Sequence, residues 1–398
     1  MVNATHKTKV ALLTNMISPA RIPLYSSLAE TFELLILHGG TERNRDLWAS
    51  AGKSIPKARV VRAWGWQIPF TRKQDGRAFD EQYVHINPGY FWQLIRFSPD
   101  VVVTTELGVR TSLALLYGLL SARPVWVWWG GTLHTERKKA GWLKRFLRPF
   151  LARCVGHWIS YGQSSTRYLL TLGIRRERIL ELQNAANESY FEVPAKPQFH
   201  LQPKPVLLYV GQFIRRKGVA HFLRAAAALH KEGIRFSVLL VGGGPDRQSV
   251  EQLSKDLGLN NVQFHPAQTP QLMPGVYRSA DVLVFPTLED PWGLVANEAM
   301  LAGLPVLCSK YAGCAEELFS AECVFDPENV AEFRERLRLA IDGRLSLPDL
   351  TRLKRSTQVA ADLIAALQRS VTKRRPPLVD QHDSRAWSNL ESNKGKMR

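Results

Sequence analysis

A regular alternation of short apolar runs with helical patterns constrains this chain more than any other feature. Runs suited to strands fall at Val10–Thr14, Glu33–Leu37, Arg59–Ala63, Val101–Thr104, Val125–Trp129 and Trp158–Ser160. Helical periodicity separates them at Pro23–Glu30, Tyr90–Phe97, Val109–Ser121, Leu143–Ala152 and Ser164–Leu172. The second half repeats the rhythm, with strands at Val206–Val210, Phe236–Val241, Val262–Phe264, Val282–Phe285, Val306–Cys308 and Cys323–Phe325. Its helices fall at Val219–His230, Asp246–Leu257, Leu272–Ser279, Leu294–Ala302 and Val330–Ile341. Strand–helix alternation builds parallel sheets covered by helices on both faces. The fold class expected is therefore α/β, with two doubly wound, Rossmann-like domains facing each other across a cleft. The Pro-rich segment 193–205 reads as the linker between a domain over 1–192 and one over 206–355. A C-terminal helix over 356–372 is expected to return to the first domain, and 373–398 reads as a disordered basic tail.

Charge and apolar content narrow the function classes. The chain of 398 residues carries a formal charge of +18, and residues 1–200 hold +13 of it. The tail 373–398 adds +4, so the second domain is close to neutral. A nucleic-acid binder would share such a balance, but no recognition motif accompanies it. Thr111–Ala122 is the longest uncharged apolar run, too short to span a bilayer, and reads as a buried helix. Cys154, Cys308, Cys314 and Cys323 show no C-x-x-C spacing, which excludes a zinc knuckle and fits a reducing cytoplasm.

Three strand-to-helix turns could carry chemistry. Gly211 to Gly218 (GQFIRRKG) follows one strand and opens a helix, so free N–H groups and the cations Arg215, Arg216 and Lys217 suit an anion. A solvated basic turn fits the same residues. Val241-Gly242-Gly243-Gly244-Pro245 is a second glycine turn, readable as a ligand loop or as close strand–helix packing. The third, Pro286 to Met300 (PTLEDPWGLVANEAM), places Asp290 in the loop and Glu298 inside the following helix. Such carboxylates can accept hydrogen bonds from sugar hydroxyls beside a helix N-terminus that favours phosphate.

These three segments, in this order and spacing, resemble the C-terminal domain of retaining GT-B glycosyltransferases, and in particular glycosyltransferase family 4 (glycosyl transferases group 1). The likeness is strong over about 206–320. Thr14 to Tyr25 is similar to the first strand and acceptor loop of some members, and Gly131 to Thr135 to the strand-end histidine motif. The resemblance implies roles for individual residues. Lys217 would stabilise the donor diphosphate. Gln212 stands where many members have Arg, and Arg215 or Arg216 would supply that charge. Glu298 would hold the nucleotide ribose, and Asp290, one methylene shorter than the usual Glu, the donor sugar. Gly211, Gly242, Gly243, Gly293, Leu294 and Val295 would line the donor, and His134 would lie beside its sugar. Without any D-x-D, the resemblance implies metal-independent transfer, no cofactor, and a UDP- or GDP-linked sugar as co-substrate.

The acceptor class follows from the basic first half. Trp142 to Leu151 places apolar residues on one helical face, with Lys144, Arg145 and Arg148 away from it, a pattern suited to anionic lipid. Arg21, in the acceptor loop, joins this set. The reading is a glycan or lipid-linked acceptor, an anionic membrane surface as partner, no nucleic-acid partner, and a peripheral place at the inner face of the cytoplasmic membrane. The function implied is sugar transfer in cell-surface polysaccharide biosynthesis; an epimerase-like enzyme of the same fold and a basic nucleic-acid-binding protein are the competing readings.

Overall fold

The computed structural model describes residues 7–40, 48, 55–74, 76–137 and 142–372. In chain order the first domain runs β1 (Lys9–Thr14), α1 (Ile22–Thr31), β2 (Glu33–His38), β3 (Arg59–Arg62), β4 (Trp66–Gln74), β5 (Arg77–Ile86), α2 (Gly89–Phe97), β6 (Val101–Thr105), α3 (Val109–Ser121), β7 (Val125–Trp129), α4 (Leu133–Arg137), α5 (Trp142–Cys154), β8 (His157–Tyr161), α6 (Gly162–Thr171) and β9 (Ile179–Leu182). The second runs β10 (Val206–Val210), α7 (Val219–Lys231), β11 (Ser237–Val241), α8 (Arg247–Asp256), β12 (Val262–His265), α9 (Met273–Arg278), β13 (Val282–Phe285), α10 (Leu294–Leu301), β14 (Val306–Ser309), α11 (Ala315–Leu318), β15 (Val324–Phe325) and α12 (Val330–Ile341), followed by α13 (Ser356–Thr372).

Both main sheets are parallel, as continuous apolar runs with no polar alternation require when both faces are covered. The first has strand order β3-β2-β1-β6-β7-β8-β9 and the second β12-β11-β10-β13-β14-β15. Strand order reverses between β1 and β6 in one sheet and between β10 and β13 in the other. Such switch points open a crevice beyond the carboxyl ends of the strands, where α/β folds bind ligands. Each sheet is sealed by its own core: Val10, Leu12, Ile36, Val101 and Val103 in the first, and Leu207, Val238, Leu240, Val284 and Phe222 in the second.

Helix α13 leaves the second domain and buries Val359, Ala360, Leu363, Ala366 and Leu367 in the first domain's core, against Leu24 and Leu28 of α1. Burying one leucine of this kind stabilises by about 1.5–3 kcal/mol, so the helix straps the two domains together. Segment 193–205 has no helix or strand, and its Gln198 and Phe199 N–H groups both donate to Ser279 Oγ at 2.9 Å. The tail 373–398 lies outside the described residues.

Two expectations change. The antiparallel hairpin β4–β5 was not expected, because it forms a two-stranded sheet of its own and Trp66, Ile68 and Phe70 on it are exposed. Half-buried alternation is therefore absent, and the Asp75-Gly76 pair was the one turn signal that could have revealed it. Helix α3 is not a buried helix: Ala114 and Tyr117 face the core, but Leu116, Leu119 and Leu120 are exposed.

Candidate active site

Three backbone turns converge at the carboxyl ends of β10, β11 and β13. After β10 the chain makes a single tight turn over Arg215–Lys217 and enters α7 through Gly218. Gly218 has φ +71°, and a Cβ there would overlap the Pro286 carbonyl; only glycine permits both. Leu288 N–H donates to Arg216 O at 2.9 Å, which pins the β13–α10 loop to this turn. The glycine turn after β11 packs on the turn that follows β10: a Cβ on Gly242 would overlap Gly211 O, and Phe213 N–H donates to Gly243 O at 2.8 Å. The Gly242–Gly244 turn is thus at least a close-packing device beside the basic turn.

Lys217 Nζ forms an ion pair with Asp290 Oδ2, and both side chains are less than one-fifth exposed. The other carboxylate oxygen of Asp290 accepts from Trp292 N–H at 3.1 Å. Burial pushes the Asp290 carboxyl up, but the Lys217 and Arg216 charges and these hydrogen bonds outweigh it and hold it below its usual range. Burial draws Lys217 down, against the pull of Asp290. Eight residues on, Glu298 sits in the second turn of α10, behind Gly293 at φ +106° with Leu294 and Val295 as the first helical residues. Glu298 accepts from Tyr277 O–H at 2.7 Å, and burial raises its pKa to about 7 despite that bond. One carboxyl is kept ionised and the other is poised near neutrality. Gln212 lies at the same turn as Lys217, its carbonyl accepting from Tyr209 O–H at 2.7 Å.

The first domain reaches into this cluster twice. From α4, His134 Nε2 donates to the Leu288 carbonyl at 2.8 Å, and its ring stacks on Tyr311 with centroids 4.1 Å apart. The β4–β5 hairpin makes the second approach. Arg72 pairs with Glu289 at 2.8 Å, Asp80 pairs with Arg216 at 3.1 Å, and the Gln74 carbonyl accepts from Arg215 at 2.6 Å. Arg215 and Arg216, expected to supply the charge missing at Gln212, both meet the hairpin, while Lys217 meets Asp290 directly. Arg72, Asp80, Glu289 and Tyr277 are site neighbours that sequence reasoning missed. Glu289 is adjacent to a motif acid, but the others come from distant segments and carry no local signal.

The other expected residues divide. Arg21 is buried in the cleft with its guanidinium 4.2 Å from the Trp128 ring centroid, away from the domain's exposed outer surface. Arg148 is paired with the buried Glu136 and lies 5.5 Å from the Trp129 ring centroid, so its charge is satisfied inside the domain and not on lipid. The side chains of Lys144 and Arg145 lie outside the described residues. Among the described residues no helix is long and apolar enough to cross a membrane.

Two parallel α/β domains that meet at the carboxyl ends of their strands define a GT-B glycosyltransferase fold. HepE of Anabaena, solved with UDP and glucose, shares it over 96% of this chain and 100% of its own, at a TM-score of 0.62 and 16% identity. Residues 194–358 match the family Glycosyl transferases group 1. The chain is also 28% identical over 272 residues to 2-deoxystreptamine glucosyltransferase of Streptomyces kanamyceticus, covering 63% of this chain and 70% of that one. With the D-inositol 3-phosphate glycosyltransferase of Saccharomonospora viridis it shares 35% identity over 151 residues, 35% of this chain and 33% of that one.

Proposed function

We propose that the protein is a retaining, metal-independent glycosyltransferase that moves a sugar from a UDP- or GDP-linked donor to a glycan or lipid-linked acceptor. The convergence of Lys217, Asp290 and Glu298 with the turns after β10, β11 and β13 carries this reading. Cleaving a nucleotide sugar at its anomeric carbon leaves positive charge on the sugar and negative charge on the departing diphosphate. A preorganised cation and helix N-termini at the leaving group are the stabilisers such a transition state needs. In this reading Lys217, with the N-terminus of α7, meets the diphosphate, Glu298 accepts from the ribose hydroxyls, and Asp290 and His134 face the donor sugar. Gly211, Gly242, Gly243 and Gly293 let backbone approach the donor, while Leu294 and Val295 open α10 toward it.

The acceptor belongs to the first domain, whose crevice at β1/β6 faces this site. A place in cell-surface polysaccharide assembly, at the inner face of the cytoplasmic membrane, agrees with the first half's charge of +13. Exposed Trp64, Trp66, Trp92, Leu119 and Leu120 on the same domain supply apolar contact for an anionic membrane. These residues add the hairpin, α2 and α3 to the lipid surface expected at α5.

A thermal-shift screen of UDP, GDP and their sugars against the full chain tests the donor half. One nucleotide should stabilise the wild type and fail to stabilise Lys217→Ala and Glu298→Ala. Equal stabilisation of the variants would overturn the site assignment.

A further inference from the structure

The first domain holds a buried cation that the donor site does not use. Arg21, in the turn between β1 and α1, is 9% exposed. Its guanidinium lies 4.2 Å from the centroid of the Trp128 ring and 5.2 Å from that of Tyr161. Among the described residues its side chain has no carboxylate within ion-pair distance and no hydrogen-bond acceptor. Aromatic faces offset part of the cost of burying a guanidinium. They do not replace the anion that a buried charge ordinarily requires.

The surroundings add to this excess of donors. Trp128 Nε1 is buried with no hydrogen-bond partner. Arg110, 6% exposed, donates to Asn15 Oδ1 and to Thr105 O and Oγ1, yet its Nε is buried and unpartnered. Burial raises the Tyr25 hydroxyl pKa to about 12, and the nearby charges of Arg21 and Arg110 oppose that rise. Two buried arginines therefore flank one tyrosine at the carboxyl ends of β1 and β6. Among the described residues the only carboxylate within ion-pair reach of either is Glu106, 4.0 Å from Arg110 and itself exposed.

The position is inside the cleft. A Cβ placed on Gly130 would lie 2.7 Å from the Tyr161 ring and 3.5 Å from Pro291 Cβ. Arg21 is thus one aromatic ring away from the loop that carries Asp290, on the acceptor side of it. Lys217 and the N-terminus of α7 already provide the donor diphosphate with its own anion site in the second domain.

We propose that Arg21 is the recognition residue of an oxyanion subsite in the acceptor crevice, walled by Trp128 and Tyr161. It takes a phosphate or carboxylate group of the acceptor. Assigning that group to the acceptor rests on the glycosyl-transfer reading; the existence of the anion site does not. Trp128 and Tyr161 meet edge to face, with centroids 6.0 Å apart, and the guanidinium packs in the corner they form; its planar fork suits two oxygens of one group better than a lysine would.

The test is a titration of inorganic phosphate into the full chain at constant ionic strength, followed by tryptophan fluorescence, because Trp128 touches Arg21. Wild type and Lys217→Met should both show saturable binding. Arg21→Met should weaken it at least about tenfold, the loss expected for a charge-assisted hydrogen bond. Arg21→Lys, which keeps the charge and guards against a folding defect in the methionine variant, should fall between them. No saturable binding in wild type, an unchanged midpoint in Arg21→Met, or a loss confined to Lys217→Met would overturn the proposal. Competition by glucose 6-phosphate, glucuronate or phosphatidic-acid vesicles then separates a sugar phosphate, a sugar acid and a lipid phosphate as the source, with glucose as the neutral control. Parallel UDP thermal shifts keep the two readings apart. Arg21-dependent phosphate binding without Lys217-dependent UDP binding would sink the transferase reading and leave the anion subsite standing.

Discussion

Removing Lys217 should expose how tightly the donor turn and the acidic loop depend on each other. The Lys217 side chain is 18% exposed and that of Asp290 13%, so neither charge is well solvated. Lys217→Met leaves the Asp290 carboxylate with the Trp292 N–H and the more distant Arg216 charge. Breaking one side of a buried pair costs about 3–5 kcal/mol. The remaining partners place this case near the lower end, about 3 kcal/mol, or a fall in melting temperature of roughly 6 °C for domains of this size. Lys217→Met/Asp290→Asn should recover most of that loss, because the asparagine carbonyl still accepts from Trp292 N–H without an unpaired charge. The pH dependence has a definite sign. The Asp290 carboxyl is held below its ordinary 3.8, so its contribution is present above that value and lost as pH falls through the lowered one. Lys217→Met should therefore move the acid transition to higher pH. Nucleotide binding separates the two roles, since both the single and the double variant should lose it. A single variant that melts within a degree of wild type, or a double variant less stable than the single, would refute the pairing argument. A double variant that binds nucleotide normally would refute the role of Lys217.

Other predictions follow the same physics. The Glu298 pKa is raised from 4.5 to about 7, so its stabilising contribution is complete below about 4.5 and lost as pH rises through 7. Wild type should lose about 3 kcal/mol relative to Glu298→Gln across that window, measured by urea unfolding at a series of pH values; parallel curves would contradict it. Arg72→Ala removes the 2.8 Å partner of Glu289, a side chain only 2% exposed. It should destabilise by about 3 kcal/mol, with Glu289→Gln restoring stability in the double variant; additive losses would show that the hairpin contact is incidental. Gly218→Ala forces a side chain into φ +71° and into the Pro286 carbonyl. It should cost more than about 1 kcal/mol and abolish nucleotide-induced stabilisation. Leu363→Ala on α13 should cost about 2–5 kcal/mol, read as an earlier melting of the first domain, if that helix straps the domains as its burial indicates.

Much of the fold was legible in the residues because each link is local. Continuous apolar runs such as Val206–Val210 and Val282–Phe285 can only be buried parallel strands when helical periods separate them. Glycines at 218 and 293 mark turns that no other residue can make at those angles. The acids at 290 and 298 and the lysine at 217 lie within or just beyond such turns, so their convergence at strand ends follows from strand–turn–helix geometry. The cross-domain contacts were not legible. Arg72 meeting Glu289, Asp80 meeting Arg216 and His134 meeting Leu288 join residues up to 217 positions apart, and side-chain pairing at such separations leaves no periodic trace. The same holds for charge. Composition counts +13 in the first half, but only packing decides that Arg148 is neutralised by Glu136 while Arg21 is buried against two rings with no acid among the described residues. Backbone geometry and burial act over short stretches, so the order of residues alone specified two parallel α/β domains and a donor turn rich in glycine and cations. Which of the many cations stay available for an anion was settled only on folding, because that depends on which carboxylate the packed chain brings within about 4 Å.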